Sequence, residues 1–127
     1  PPEKQSEMNG FRANRIRAPL AYRARNMDGI WATAPYLHNN SVPNLYQLLL
    51  PVARRDTRFF VGNLEFDPGV VGFKTAKFTG GFEFRTSVAG NSNAGHEFRD
   101  GPRGKGVIGP LLTEAERWAI IEFLKTK

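Results

Sequence analysis

The chain contains no cysteine among its 127 residues. That excludes disulfides, zinc–thiolate sites, thiol nucleophiles and any haem attachment through C-x-x-C-H within it. Histidine is nearly absent too, with only His38 and His96, and the two methionines, Met8 and Met27, stand in polar surroundings. No apolar run approaches the length of a membrane span, so no membrane span is expected. The glycine-rich stretches lack the G-K-[ST] and G-x-G-x-x-G patterns, which argues against nucleotide binding.

What is present is glycine (13), proline (9) and a net charge of +6. A chain of this size forms one domain at most and can bury only a modest core. Abundant Gly and Pro favour a loop-rich fold. Residues 1–10 are polar and read as a tail or linker. Residues 11–40 show no clean period and read as extended and looped, interrupted at Pro19 and Pro35. Ser41 as N-cap, Pro43 in the first turn, and Leu45, Leu48 and Leu49 at helical spacing predict a helix over Val42–Leu50, stopped by Pro51. Arg58–Val61 and Phe82–Arg85 suit short strands in a hairpin-like pair, with a turn at Gly80-Gly81. Asn91–Gly95 is a run of turn formers from which His96 emerges. Thr113 and Glu116 form a capping box opening a helix to about Leu124. Trp118, Ile120, Ile121, Phe123 and Leu124 give that helix a broad apolar surface that calls for burial on more than one side.

Arg12, Arg15, Arg17, Arg23 and Arg25 cluster near the start. The plain reading is a solvated basic face. A nucleic-acid patch lacks the phosphate-cradling or stacking motifs that would support it, so no nucleic-acid partner is expected. Glu65 and Asp67 could pair as acid and base, but nothing else suggests a hydrolase, and strand-edge charges are the commoner explanation.

The segment Trp31-Ala32-Thr33-Ala34-Pro35-Tyr36-Leu37-His38-Asn39-Asn40-Ser41-Val42-Pro43 resembles the W-A-T-A-P-Y-L-H-N-G-S-V-P segment of bacterial di-haem c-type cytochromes. That group includes the secreted rubber-cleaving di-haem oxygenases and is similar, more distantly, to di-haem cytochrome c peroxidases. Further resemblances follow in the same order at Arg17–Arg25, Phe59–Pro68, Gly90–Phe98 and Leu112–Ala119. Asn40 departs from the family's usual glycine, and Lys74–Thr79 has no counterpart. The resemblance implies that residues 11–127 are the C-terminal portion of a c-type cytochrome domain, mainly α with much irregular structure and a few short strands. It implies haem c attached through a C-x-x-C-H outside this chain, on an N-terminal region or a separate chain of the same protein. It also implies a periplasmic or secreted location, and peroxidase or oxygenase activity if assembled with that region.

Within the resemblance, His96 in Asn93-Ala94-Gly95-His96-Glu97-Phe98 corresponds to a distal axial ligand of the C-terminal haem iron. Small residues before it let a backbone approach a flat macrocycle, and Glu97 or a carbonyl could set the imidazole tautomer. The competing reading is a loop histidine hydrogen-bonded to the backbone. His38 lies near the haem in this picture, either as a structural turn histidine or as a propionate or outer-sphere partner. Trp31 and Tyr36 are either core or at a haem edge. Arg23 and Arg25 are propionate partners, since guanidinium suits carboxylates. Two function classes result: part of a haem c redox protein, or a basic assembly or binding module.

Overall fold

The computed structural model describes Lys4, Glu7, Met8, Gly10 and residues 26–127. The arginines at 12, 15, 17, 23 and 25 lie outside the described residues, as does most of the expected tail.

The mainly α expectation is overturned. The described residues form three two-stranded sheets, and beyond residues 1–10 their α-helices are confined to a short α1 (Leu45–Leu48) and a C-terminal α2 (Glu114–Lys125). Strands β1 (Arg58–Val61) and β4 (Phe82–Arg85) pair antiparallel, β2 (Phe66–Asp67) and β3 (Gly72–Phe73) pair antiparallel, and β5 (Glu97–Phe98) and β6 (Val107–Gly109) pair parallel. The physical reason lies in the chain's own turn formers. Thirteen glycines and nine prolines break up most of the chain, and among the described residues a long uninterrupted helix propagates only in the Gly- and Pro-free stretch of α2. Among the described residues no helix is long and apolar enough to cross a membrane.

The β1–β4 pair has the expected partners, with Arg58 opposite Arg85 and Val61 opposite Phe82. The rings of Phe59 and Phe84 stack across it at 5.1 Å, the kind of cross-strand pair that stabilises a short ladder. Gly81 donates its N–H to the Phe78 carbonyl at the expected turn.

Helix α1 is shorter than its leucine spacing predicts, and its cap is Asn44, not Ser41. The Asn44 side chain accepts from the Gln47 N–H at 2.9 Å. Ser41 cannot cap, because Val42 is held extended by a bridge to Tyr36 and the Ser41 hydroxyl donates to the Ser92 carbonyl at 3.0 Å. Pro51 ends the segment by starting a 3-10 turn, Val52–Arg54.

Helix α2 opens on the expected capping box. Its buried face is narrower than its composition suggests: Arg117, Ile121 and Leu124 are buried, while Trp118 and Phe123 remain exposed. The Trp118 ring lies 4.9 Å from that of Tyr46 on α1. One core joins the two helices to the β2–β3 turn: Tyr36, Val42, Leu45, Leu49, Val71, Ile121 and Leu124. Complete burial of Leu45 and Ile121 contributes about 1.5–3 kcal/mol each.

Candidate functional site

The first half of the site is the segment from Gly29 to Asn44. The Gly29 N–H donates to the Lys127 carbonyl at 2.9 Å, tying the segment to the end of α2. Trp31 sits on the 3-10 turn Ile30–Ala32 and is half-exposed. With Phe66, Pro68, Val71 and Lys125 it lines a shallow open hollow. Tyr36 is a core residue; its hydroxyl donates to the Ile30 carbonyl at 3.0 Å, and burial pushes its pKa up to about 12. Beyond it the chain turns sharply, with Leu37 at φ 66° and Asn40 at φ 58°. His38 is exposed on this turn. Its neighbour Asn39 reaches away, donating through Nδ2 to the carbonyls of Gly90 and Ser92, both at 2.9 Å.

Those two carbonyls belong to the loop that delivers His96. Asn93 is buried within it and donates Nδ2 to the Asp56 carbonyl at 3.0 Å. His96 is half-buried and left-handed, at φ 50°. Gly95 before it has φ 93°, and a side chain placed there would meet nothing within 4 Å. Behind the loop, Gly106 crosses so closely that a Cβ on it would stand 2.9 Å from the Gly95 Cα. That crossing lets the Gly106 carbonyl accept from the Glu97 N–H at 2.8 Å, which starts the β5–β6 pair.

The guanidinium of Arg55 holds the loop from below. It is 4% exposed and uses all five of its N–H donors on main-chain carbonyls. Nη1 donates to Asn93 and Gly95 at 2.6 and 3.1 Å; Nη2 donates to Leu48 and His96 at 3.1 and 2.9 Å; Nε donates to Leu50 at 3.2 Å. Burial lowers its pKa, and the nearby Glu97 charge opposes that shift. Glu97 is itself held below the usual carboxylate range, first by accepting the Val52 N–H at 3.0 Å and then by Arg99.

The structure thus brings the His38–Ser41 turn, Arg55 and the His96 loop together, while Tyr36 serves the core. Arg23 and Arg25 lie outside the described residues. Glu65 and Asp67 do not act as a pair: Glu65 bonds Lys74 at 2.5 Å, and Asp67 accepts the Gly69 N–H at 2.8 Å. Arg55 and Asn93 escaped the sequence reading. Arg54-Arg55-Asp56 has the look of any exposed charge run, and only the tertiary fold buries its middle member.

Residues 21–60 match the RoxA-like, cytochrome c-like family. That match supports a cytochrome c-like family. The chain is also 55% identical, over 99% of its length, to an uncharacterized protein of Sinorhizobium fredii, y4iJ, of which it spans 21%. It is 35% identical, over 87% of its length, to a second uncharacterized protein of that organism, y4iM, of which it spans 28%. No solved structure matches it.

A cytochrome c-like family points to haem c. Without cysteine, this chain has no thiol for the thioether links, so toward such a group it could supply only a ligand or a wall. The residues present fit that part. Among the described residues no group of three or more His, Asp or Glu side chains could hold a bare metal ion, whereas an iron already carried by a porphyrin needs one more imidazole at most. His96 follows two small residues, with open space beside Gly95 for a flat group to approach.

Proposed function

We propose that this chain is part of a haem c redox protein, in which it closes over a haem and presents the His96 imidazole to the distal face of the iron. The haem-bearing region is the remainder of a longer polypeptide or a companion chain, of di-haem peroxidase or oxygenase type, working in the periplasm or outside the cell. The observation that carries this reading is the fastening of the His96 loop onto residues 39–56, inside the stretch that matches the cytochrome c-like family.

A haem with two axial histidines has no open position, so it supplies electron transfer rather than binding of oxygen or peroxide. The chain's own residues do the positioning. Asn39 and Ser41 hold the start of the loop, Arg55 holds its end, and Gly95 leaves room for close approach. Trp31, partly exposed, is the aromatic side chain available to a haem edge, and Arg23 and Arg25 are cationic partners for its propionates. His38 on its exposed turn is a further hydrogen-bonding partner.

The test is His96→Ala in the complete haem-bearing protein. The expected result is loss of one low-spin signal and appearance of a high-spin one in the electronic and paramagnetic spectra. His38→Ala should leave the spin state unchanged. A low-spin spectrum identical to wild type in His96→Ala would refute the assignment.

A further inference from the structure

We propose that Arg55 is the positioning residue that keeps His96 in its ligating conformation; this rests on the reading of His96 as an axial donor. His96 is not glycine, yet its backbone is left-handed at φ 50°. That conformation costs an ordinary L-residue energy and relaxes unless its surroundings hold it. Two hydrogen bonds from one side chain bracket it. Nη1 of Arg55 binds the carbonyl of Gly95 and Nη2 binds that of His96 itself. These two carbonyls flank the His96 backbone dihedrals, so a rigid planar fork gripping both sets the torsion between them. A third bond, to the Asn93 carbonyl, anchors the approach to the same point.

The opposite side of the fork is as firmly placed. Its remaining donors go to Leu48 and Leu50 at the end of α1, whose neighbours Leu45 and Leu49 lie in the core. Arg55 therefore references the imidazole to the core and not to the surface loop. No carboxylate shares its hydrogen bonds; all five acceptors are main-chain carbonyls. A guanidinium buried in this way costs desolvation energy, offset by the five main-chain carbonyls it satisfies. Released from the fork, His96 would fall back to an ordinary right-handed or extended backbone, and its side chain would leave its direction of aim.

The experiment uses the complete haem-bearing protein with Arg55→Lys, Arg55→Gln and His96→Ala in parallel. The readouts are the high-spin fraction and the rate at which added cyanide binds the ferric haem, both measured well below the unfolding temperature. Arg55→Gln should raise the cyanide association rate at least about tenfold, the factor that loss of a single charge-assisted hydrogen bond represents. Arg55→Lys, which keeps the charge but not the planar fork, should fall between that variant and wild type. If Arg55→Gln fails to fold, Arg55→Lys decides by the same criterion. Folded Arg55 variants with wild-type spin state and cyanide kinetics, beside a high-spin His96→Ala, overturn the Arg55 proposal alone. An unchanged spectrum in His96→Ala overturns the ligand reading beneath it.

Discussion

At Asn40 the backbone turns left-handed, at φ 58°, where the resembling cytochromes carry glycine. The departure is conservative in physical terms, because asparagine tolerates this region better than other residues with a side chain. Asn40→Gly should therefore leave the unfolding midpoint nearly unchanged, while Asn40→Val should destabilise by about 1–2 kcal/mol. Urea denaturation of the two variants checks the difference; equal stabilities would mean the turn has relaxed to another conformation. Val71 holds the same left-handed conformation, at φ 58°, although it is β-branched. Its N–H donates to Asp67, its carbonyl accepts from Leu45, and its side chain is buried in the core. No local pattern announces such a residue, since a valine in this region is normally excluded and only the surrounding contacts hold it there.

Helix α2 shows how far local chemistry reaches. Thr113 accepts the Glu116 N–H, and Glu116 accepts the Thr113 N–H at 2.7 Å. The Thr113 N–H, and after it the Thr113 hydroxyl donating to Glu116 Oε2 at 2.8 Å, hold the Glu116 carboxyl below its ordinary pKa. Thr113→Ala should lower stability by about 1 kcal/mol, read as a shifted unfolding midpoint with an unchanged denaturant slope. The cap was legible because its partners lie within three residues. The buried face of the same helix was not. Trp118 and Phe123 are as apolar as Ile121, yet Ile121 and Leu124 are buried in the core while Trp118 and Phe123 stay exposed. Helix α1 repeats the lesson in reverse: its leucine spacing was visible, but the long-range bond from Ser41 to Ser92 decided where it could start.

Across the whole molecule, carboxylates set the response to acid. Glu97, Glu114 and Glu116 all have folded pKa values below the ordinary one, caused first by the N–H of Val52, the Arg117 guanidinium and the N–H of Thr113 respectively. For a depressed carboxyl the stabilisation is present above the unfolded pKa and is lost as pH falls through the folded one. Thermal unfolding should therefore move to lower temperature as pH drops from about 5 toward 3. Glu97→Gln, which can still accept from Val52, should flatten that profile. A midpoint independent of pH over this range would show that these bonds are not formed in solution.

Sequence alone determined the features that depend on neighbours a few residues apart. These are the Thr113–Glu116 cap and the Gly80-Gly81 turn; the pairing of β1 with β4 was legible from their short aromatic runs, although its partners lie far apart in the chain. The resemblance to c-type cytochromes was legible in the same way, in the contiguous stretch from Trp31 to Pro43, which lies inside the family match over residues 21–60. Tertiary structure alone decided the fold class, because glycine and proline limit helix length only in combination with the pairings that replace helix. It alone separated Tyr36, in the core, from half-exposed Trp31. It also buried Arg55 beneath the His96 loop, joining residues some forty positions apart. The physical reason is that a buried guanidinium is defined by the carbonyls that converge on it, and those carbonyls carry no side-chain signature in the sequence.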